Sequence, residues 1–337
     1  MEILINLFFV LIYLLSIVLT CNLFTNSIEN LGKKFNLDKS ATGSILAAVG
    51  TALPETILPL IAIFSIKGNA ADGVEIGTGA ILGSSFLLSA FALFISALAF
   101  IFFQKQKLKS PLNINFENFS RDYKFFIFAY FLAITSTFIN EKNIKIIIGA
   151  FLICYWIFYA IKTISKSNEN EIEENCPNLY FAFSNKNLEK NLFIILLQTI
   201  FSLFLLFIFS KLFVDEIQTF SILTKISPLV VSLVLSPLAT ELPEITNSII
   251  WIKNKKDSLA ISNITGAMVY QASICTSIGI IFTDWKFSNH AVINIFSTIC
   301  ATLTVFLLTR FIKKVPAILL LSCLIWYLGF FIFISLR

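Results

Sequence analysis

Charge is what this 337-residue chain has least of: 13% of its residues are Asp, Glu, Lys or Arg, against about a quarter in soluble domains. Histidine is nearly absent. With His290 alone, no Ser-His or His-Glu arrangement and no zinc site can be assembled. The six cysteines include no CxxC pair; Cys21, Cys154, Cys275, Cys300 and Cys323 fall in apolar runs and Cys176 in a polar stretch, so a disulfide framework is not supported either. A net charge of +5 gives no reason to invoke nucleic acid, and nothing in the chain calls for a resident cofactor.

What the chain has in excess is apolar surface. Hydrophobic residues make up 57% of it, 37 of them Phe, and the mean hydropathy is +0.85. That composition specifies an integral membrane protein, with the lipid bilayer as its first partner. A helix needs roughly 20 apolar residues to cross about 30 Å of hydrocarbon. Ten such runs are centred near residues 15, 52, 90, 131, 153, 203, 240, 270, 299 and 325. Met1 and Glu2 lead into the first run with no basic flank, so that run is expected to be kept as a span.

The loops alternate in charge. Those expected on one side carry Lys33, Lys34, Lys39, the group Lys105 to Lys124, Lys162 to Lys190, Lys253 to Lys256 and Arg310 to Lys314, which is 18 of the 25 basic residues. The positive-inside rule places that side in the cytoplasm and both termini outside, in a multi-pass protein of the cell membrane. A bias towards Ile, Lys, Asn and Phe points to an AT-rich prokaryotic genome. Oligomeric state is not legible.

Two stretches break the apolar pattern in the same way. GTALPE at 50 to 55 lies over ATELPE at 239 to 244 with a constant offset of 189 residues, matching Thr51 to Thr240, Leu53 to Leu242, Pro54 to Pro243 and Glu55 to Glu244. Each copy is followed by a small-residue segment, GTGAILGSS at 77 to 85 and SNITGAM at 262 to 268. The plan is therefore all-α: ten transmembrane helices as two inverted five-helix repeats, 1–164 and 191–337, joined by a hydrophilic linker at 165–190. The linker's EIEE run at 171 to 174 reads as a solvated segment or as a cytoplasmic cation sensor.

A proline within a helix lacks an N–H and collides with the carbonyl four residues earlier. In the two motifs those carbonyls belong to Gly50 and Ala239. Thr51 and Glu55, like Thr240 and Glu244, are four apart and share a helix face, and Glu241 leans to the same face. Should the motifs cross, two or three carboxylates would meet hydroxyls and freed carbonyls without nitrogen or sulfur. That donor set fits a hard cation such as calcium. A competing reading has the glutamates brace neighbouring helices, but three ionisable groups at membrane depth are costly without a function. Ser84, Ser85, Asn263 and Gln271 are further candidate donors, Ser85 and Asn263 being equally suited to close packing.

These motifs resemble the two alpha-repeats of the cation/calcium exchanger superfamily. The resemblance covers both motif regions and the ten-span plan. It implies ion ligation by Glu55 and Glu244, with Thr51 and Thr240 lining sodium sites. Two departures stand out: Ala52 and Glu241 occur where the family usually has Ser, and Ser85 and Met268 end segments that usually close on an amide or acid. The implied activity is secondary antiport of small inorganic cations, calcium or a similar divalent ion against sodium or protons, with the first and sixth helices sliding past a core. A passive cation channel and an intramembrane enzyme with paired carboxylates are the alternatives.

Overall fold

The computed structural model describes residues 1–34, 47–65, 70–164, 178–182 and 191–335. Ten helical spans run through them: α1 Glu2–Lys34, α2 Ala47–Ser65, α3 Ala70–Gln104, α4 Phe116–Thr135, α5 Lys142–Ile164, α6 Leu192–Thr224, α7 Pro228–Lys253, α8 Asp257–Phe282, α9 Asn289–Ile312 and α10 Ala317–Ser335. Eight are long and apolar enough to cross a membrane by length and composition. The other two are α2, whose apolar part Ala52–Phe64 is shorter, and α4, which opens on Glu117, Arg121, Asp122 and Lys124. No strand forms among the described residues, as expected for an all-α chain.

Local chemistry sets several of the ends. Asn115 caps α4, its Oδ1 accepting from the amides of Glu117 at 3.0 Å and Asn118 at 3.2 Å. Asn191 does the same for α6 through Phe193, and Ser227 precedes Pro228 at the start of α7, where a missing N–H costs nothing.

Contacts between loops fix which helix ends share a face. Leu112 N donates to Val315 O at 3.0 Å and Ile318 N to Leu108 O at 2.9 Å, tying the α3–α4 loop to the α9–α10 loop. Gln104 Nε2 reaches Ile252 O at 2.8 Å and Asp257 Oδ1 at 2.6 Å, bringing the α7–α8 loop to the same face. At the other face, Gln218 Nε2 donates to Asp72 Oδ2 at 3.1 Å and Lys145 Nζ to the carbonyl of Asp284. The loops sort as an alternating ten-span path requires, so the second five helices enter from the face opposite to the first.

Helices α3 and α7 pack against each other more extensively than any other pair, and α1 and α6 come next, packing along each other. Each of α1 and α6 has 33 residues, a length of about 50 Å at 1.5 Å per residue, so both exceed the roughly 30 Å hydrocarbon layer and must tilt across it or extend beyond it. Together they lay Ile17, Cys21, Phe213 and Ile217 over Leu58, Ile76 and Ala239 of α2, α3 and α7. The remaining helices, with other residues of α3 and α7, build a second, larger core around Phe86, Tyr123, Phe126 and Ile264.

The first glycine segment is a packing device. A Cβ on Gly83 would lie 2.5 Å from Leu233 O and 2.7 Å from Pro237 Cγ, and one on Gly79 would lie 2.7 Å from Leu229 O. Leu233 is the residue whose carbonyl Pro237 deprives of its helical donor, so α3 approaches α7 just where α7 is broken. Gly266 in the second segment has only Tyr159 Oη within reach, at 3.7 Å. Gly83→Ala should therefore cost about 1–3 kcal/mol of overpacking, read as a lowered Tm in detergent, while Gly266→Ala stays close to the parent.

Candidate functional site

The two proline motifs meet at the centre of the bundle. Glu55 on α2 and Glu241 and Glu244 on α7 each present a carboxylate oxygen, all within 4.8 Å of one another. All three are buried, with 3%, 0% and 1% of their surface exposed, within the apolar helices α2 and α7. Prolines position them from both sides. Pro54 and Pro59 lie inside α2, and Pro237 and Pro243 inside α7. Pro59 also strips the helical donor from the carbonyl of Glu55 itself, and that oxygen accepts instead from Cys275 Sγ on α8 at 3.5 Å. The carbonyl of Glu244 accepts from Asn263 Nδ2, also on α8, at 3.4 Å.

Glu241 is held by two side-chain hydrogen bonds. Its Oε1 accepts from Thr240 Oγ1 at 3.0 Å and from Gln271 Nε2 at 2.7 Å. Its Oε2, the Oε1 of Gln271 and both oxygens of Glu55 take no hydrogen bond among the described residues. Buried polar atoms are nearly always partnered, and here several acceptors converge without a donor. The electrostatics are equally one-sided. Two bare carboxylates 4.8 Å apart repel by about 3.5 kcal/mol at an effective dielectric of about 20, so the triad must share positive charge, as ions or protons, in every stable state.

Of the residues expected at this centre, Glu55, Glu241, Glu244, Thr240 and Gln271 come together. Ser84 joins them, its Oγ lying 3.3 Å from Thr240 Oγ1 and interacting with the Glu241 carboxylate. Ser85 does not. Its hydroxyl bonds back to Ile81 O of its own helix at 3.4 Å, because one residue along a helix is a rotation of about 100° away from the face that Ser84 presents. Asn263 reaches only the main chain of Glu244, and Ala239 is fully buried directly before Thr240. The side chain of Thr51 lies outside the described residues, and Gly50 is described only as backbone of α2.

Met268, which the sequence marks as a missing ligand, packs in the larger hydrophobic core. The polar group that α8 brings to the carboxylates is Gln271, three residues on, where the helix widens into a π turn over Gln271–Cys275. A matching π turn, Leu87–Ala92, interrupts α3. Such turns are frequent at functional sites, and neither contains a proline to announce it. Cys21 of α1, within electrostatic reach of all three glutamates, was not anticipated at all, nor was the pair formed by Thr56 Oγ1 and Tyr270 Oη at 2.6 Å.

Known proteins match the chain as a whole. The family model described as sodium/calcium exchanger protein matches residues 5–164 and 194–333. An uncharacterised membrane protein of Methanocaldococcus jannaschii is 24% identical over 261 residues, 77% of this chain and 76% of its own length. Among solved structures, the H+/Ca2+ exchanger CAX aligns with a TM-score of 0.77 at 14% identity, over 97% of this chain and 81% of its own. The sodium-calcium exchanger NCX_Mj aligns with a TM-score of 0.57 at 20% identity, over 97% of this chain and 99% of its own. At those identities the structural likeness speaks for the fold.

Proposed function

This chain belongs to the sodium/calcium exchanger protein family, a family of cation/calcium antiporters, and from that premise we propose that it exchanges calcium, or a similar divalent cation, for sodium or protons at the Glu55–Glu241–Glu244 centre. The observation that carries the reading is the triad itself, three buried carboxylates drawn to within 4.8 Å from two inverted motifs. An oxygen-only cluster of that charge suits a hard divalent ion, with Thr240, Ser84 and Gln271 Oε1 as neutral oxygens beside it. Gly50, Thr51 and Ala239 remain candidate donors of the same site.

Coupling follows from competition. Only a state in which cations or protons neutralise the carboxylates can be carried through an apolar layer, so the empty triad is the slow species and two ligands alternate on it. The tight pairing of α1 with α6 across α2, α3 and α7 supports movement of those two helices as the alternating step. We place the protein in the cell membrane of a prokaryote, with both termini outside, on the charge asymmetry of its loops.

Calcium uptake into proteoliposomes tests the function. Uptake should be accelerated by an outward-directed sodium gradient or an outward-directed proton gradient, and the effective one names the counter-ion. Uptake indifferent to both gradients would overturn antiport.

A further inference from the structure

Away from the carboxylates, the face on which α4 begins and α5 ends holds a cavity of about 230 Å³, lined by Glu117, Asn118, Arg121, Lys124, Phe125 and Lys162. Three of the six are cationic. Arg121 gives Nε and Nη2 to Asp122 Oδ1 at 3.1 and 3.0 Å, whereas its Nη1 is buried with no hydrogen-bond partner. A buried guanidinium nitrogen with no acceptor is costly, and the side chain that carries it is one of those lining the cavity.

Lys162 occupies the last turn of α5, where a lysine commonly serves only to offset the helix dipole. Its Nζ instead lies 5.8 Å from the ring centroids of both Phe125 and Phe158, so the ammonium is turned back towards α4 and the cavity. Lys124 is exposed on α4 one turn beyond Arg121. Glu117 contributes a single opposing carboxylate at the rim.

We propose that this cavity binds a phosphate-bearing anion, supplied by the headgroup of an anionic membrane lipid. Basic pockets between transmembrane helices suit such headgroups, and the planar guanidinium suits phosphate oxygens. The lining lies where α4 begins and α5 ends, and the ends of membrane helices are where headgroups are met. Asp122 accepts on its other oxygen from Thr265 Oγ1 of α8 at 2.7 Å, so an anion on Arg121 is two hydrogen bonds from the helix that carries Gln271 and Asn263.

Retention of short-chain lipids by the purified full-length protein, read by native mass spectrometry, tests this without reference to transport. Phosphatidylglycerol should be retained in preference to phosphatidylcholine, and replacing the two exposed lysines together, Lys124→Gln with Lys162→Gln, should weaken retention about five- to tenfold per lysine. Arg121→Lys, which keeps a charge beside Asp122, should weaken it as well. Inorganic phosphate is the second arm. If millimolar phosphate displaces the lipid, the site stands and soluble phosphate is a source for it; if it does not, the lipid is the source. Equal retention of both lipids, or phosphatidylglycerol retention unchanged in the double lysine variant, would overturn the proposal.

Discussion

Glu244→Gln and Glu55→Gln are each expected to lower calcium exchange about thirtyfold or more while making the ion-free protein more resistant to heat. The two effects have one cause. Glutamine keeps the shape of the side chain and removes its charge, so the variant loses a ligand and also loses repulsion within a cluster spanning 4.8 Å. Removing one partner from a desolvated charge contact costs about 2–5 kcal/mol, which is about 30- to several-thousand-fold in affinity. Against that loss, the ion-free state sheds two of its three repulsive pairs, each worth about 3.5 kcal/mol before protons or ions relieve it. Thermal unfolding read with and without calcium should show both effects. In the parent, saturating calcium raises Tm, since a ligand at about 100 times its Kd adds about 2.7 kcal/mol; in either variant Tm starts higher and calcium no longer moves it. Helix-bracing glutamates would give the opposite sign, a fall in Tm with transport little changed, and that result would remove both residues from the site.

Much of this centre was legible because its cause is written locally. Proline and glutamate at fixed spacing in two apolar runs specify a broken helix with a carboxylate on one face, and an odd number of spans in each repeat specifies inversion. Composition and run length likewise sufficed for ten spans. Other features depend on the packing of the second helix of one repeat against the third of the other. A π turn interrupts α8 over Gln271–Cys275, and such a turn adds one residue to the helical repeat without requiring any particular side chain. Gln271 itself was legible as a polar amide one turn beyond Met268, but the π turn that opens on it was not. The same limit applies to α3, where Ser84 and Ser85 are equivalent in composition and differ only in which of them faces α7. Cys21 carries no signal at all: an apolar residue on a long apolar helix reaches the site only because α1 lies across it.

Glu241 and Gln271 are the acid and the amide of a single hydrogen bond, 2.7 Å long, between α7 and α8, and this pair allows the third charge to be moved without moving anything else. In Glu241→Gln the Nε2 of Gln271 still finds a carbonyl oxygen, so the helices stay joined and only a charge is lost. Calcium affinity should fall about tenfold or more, at 1.4 kcal/mol per factor of ten, because two carboxylates remain to offset two positive charges and the third no longer contributes attraction. The counter-ion count should fall with it. A triad freed of calcium must be neutralised by as many as three monovalent charges, whereas Glu55 with Glu244 alone requires no more than two, so current accompanying exchange in proteoliposomes should diminish. Adding Gln271→Glu to this variant returns the lost charge from the neighbouring helix, across a contact already at hydrogen-bond distance. Affinity in the exchanged pair should recover to within about tenfold of the parent, since the cluster regains its charge at nearly the same point. Failure to recover, with both proteins folded, would mean that the position of Glu241 on α7 matters beyond its charge, and that the α7–α8 hydrogen bond is itself part of how the site tells one ion from another.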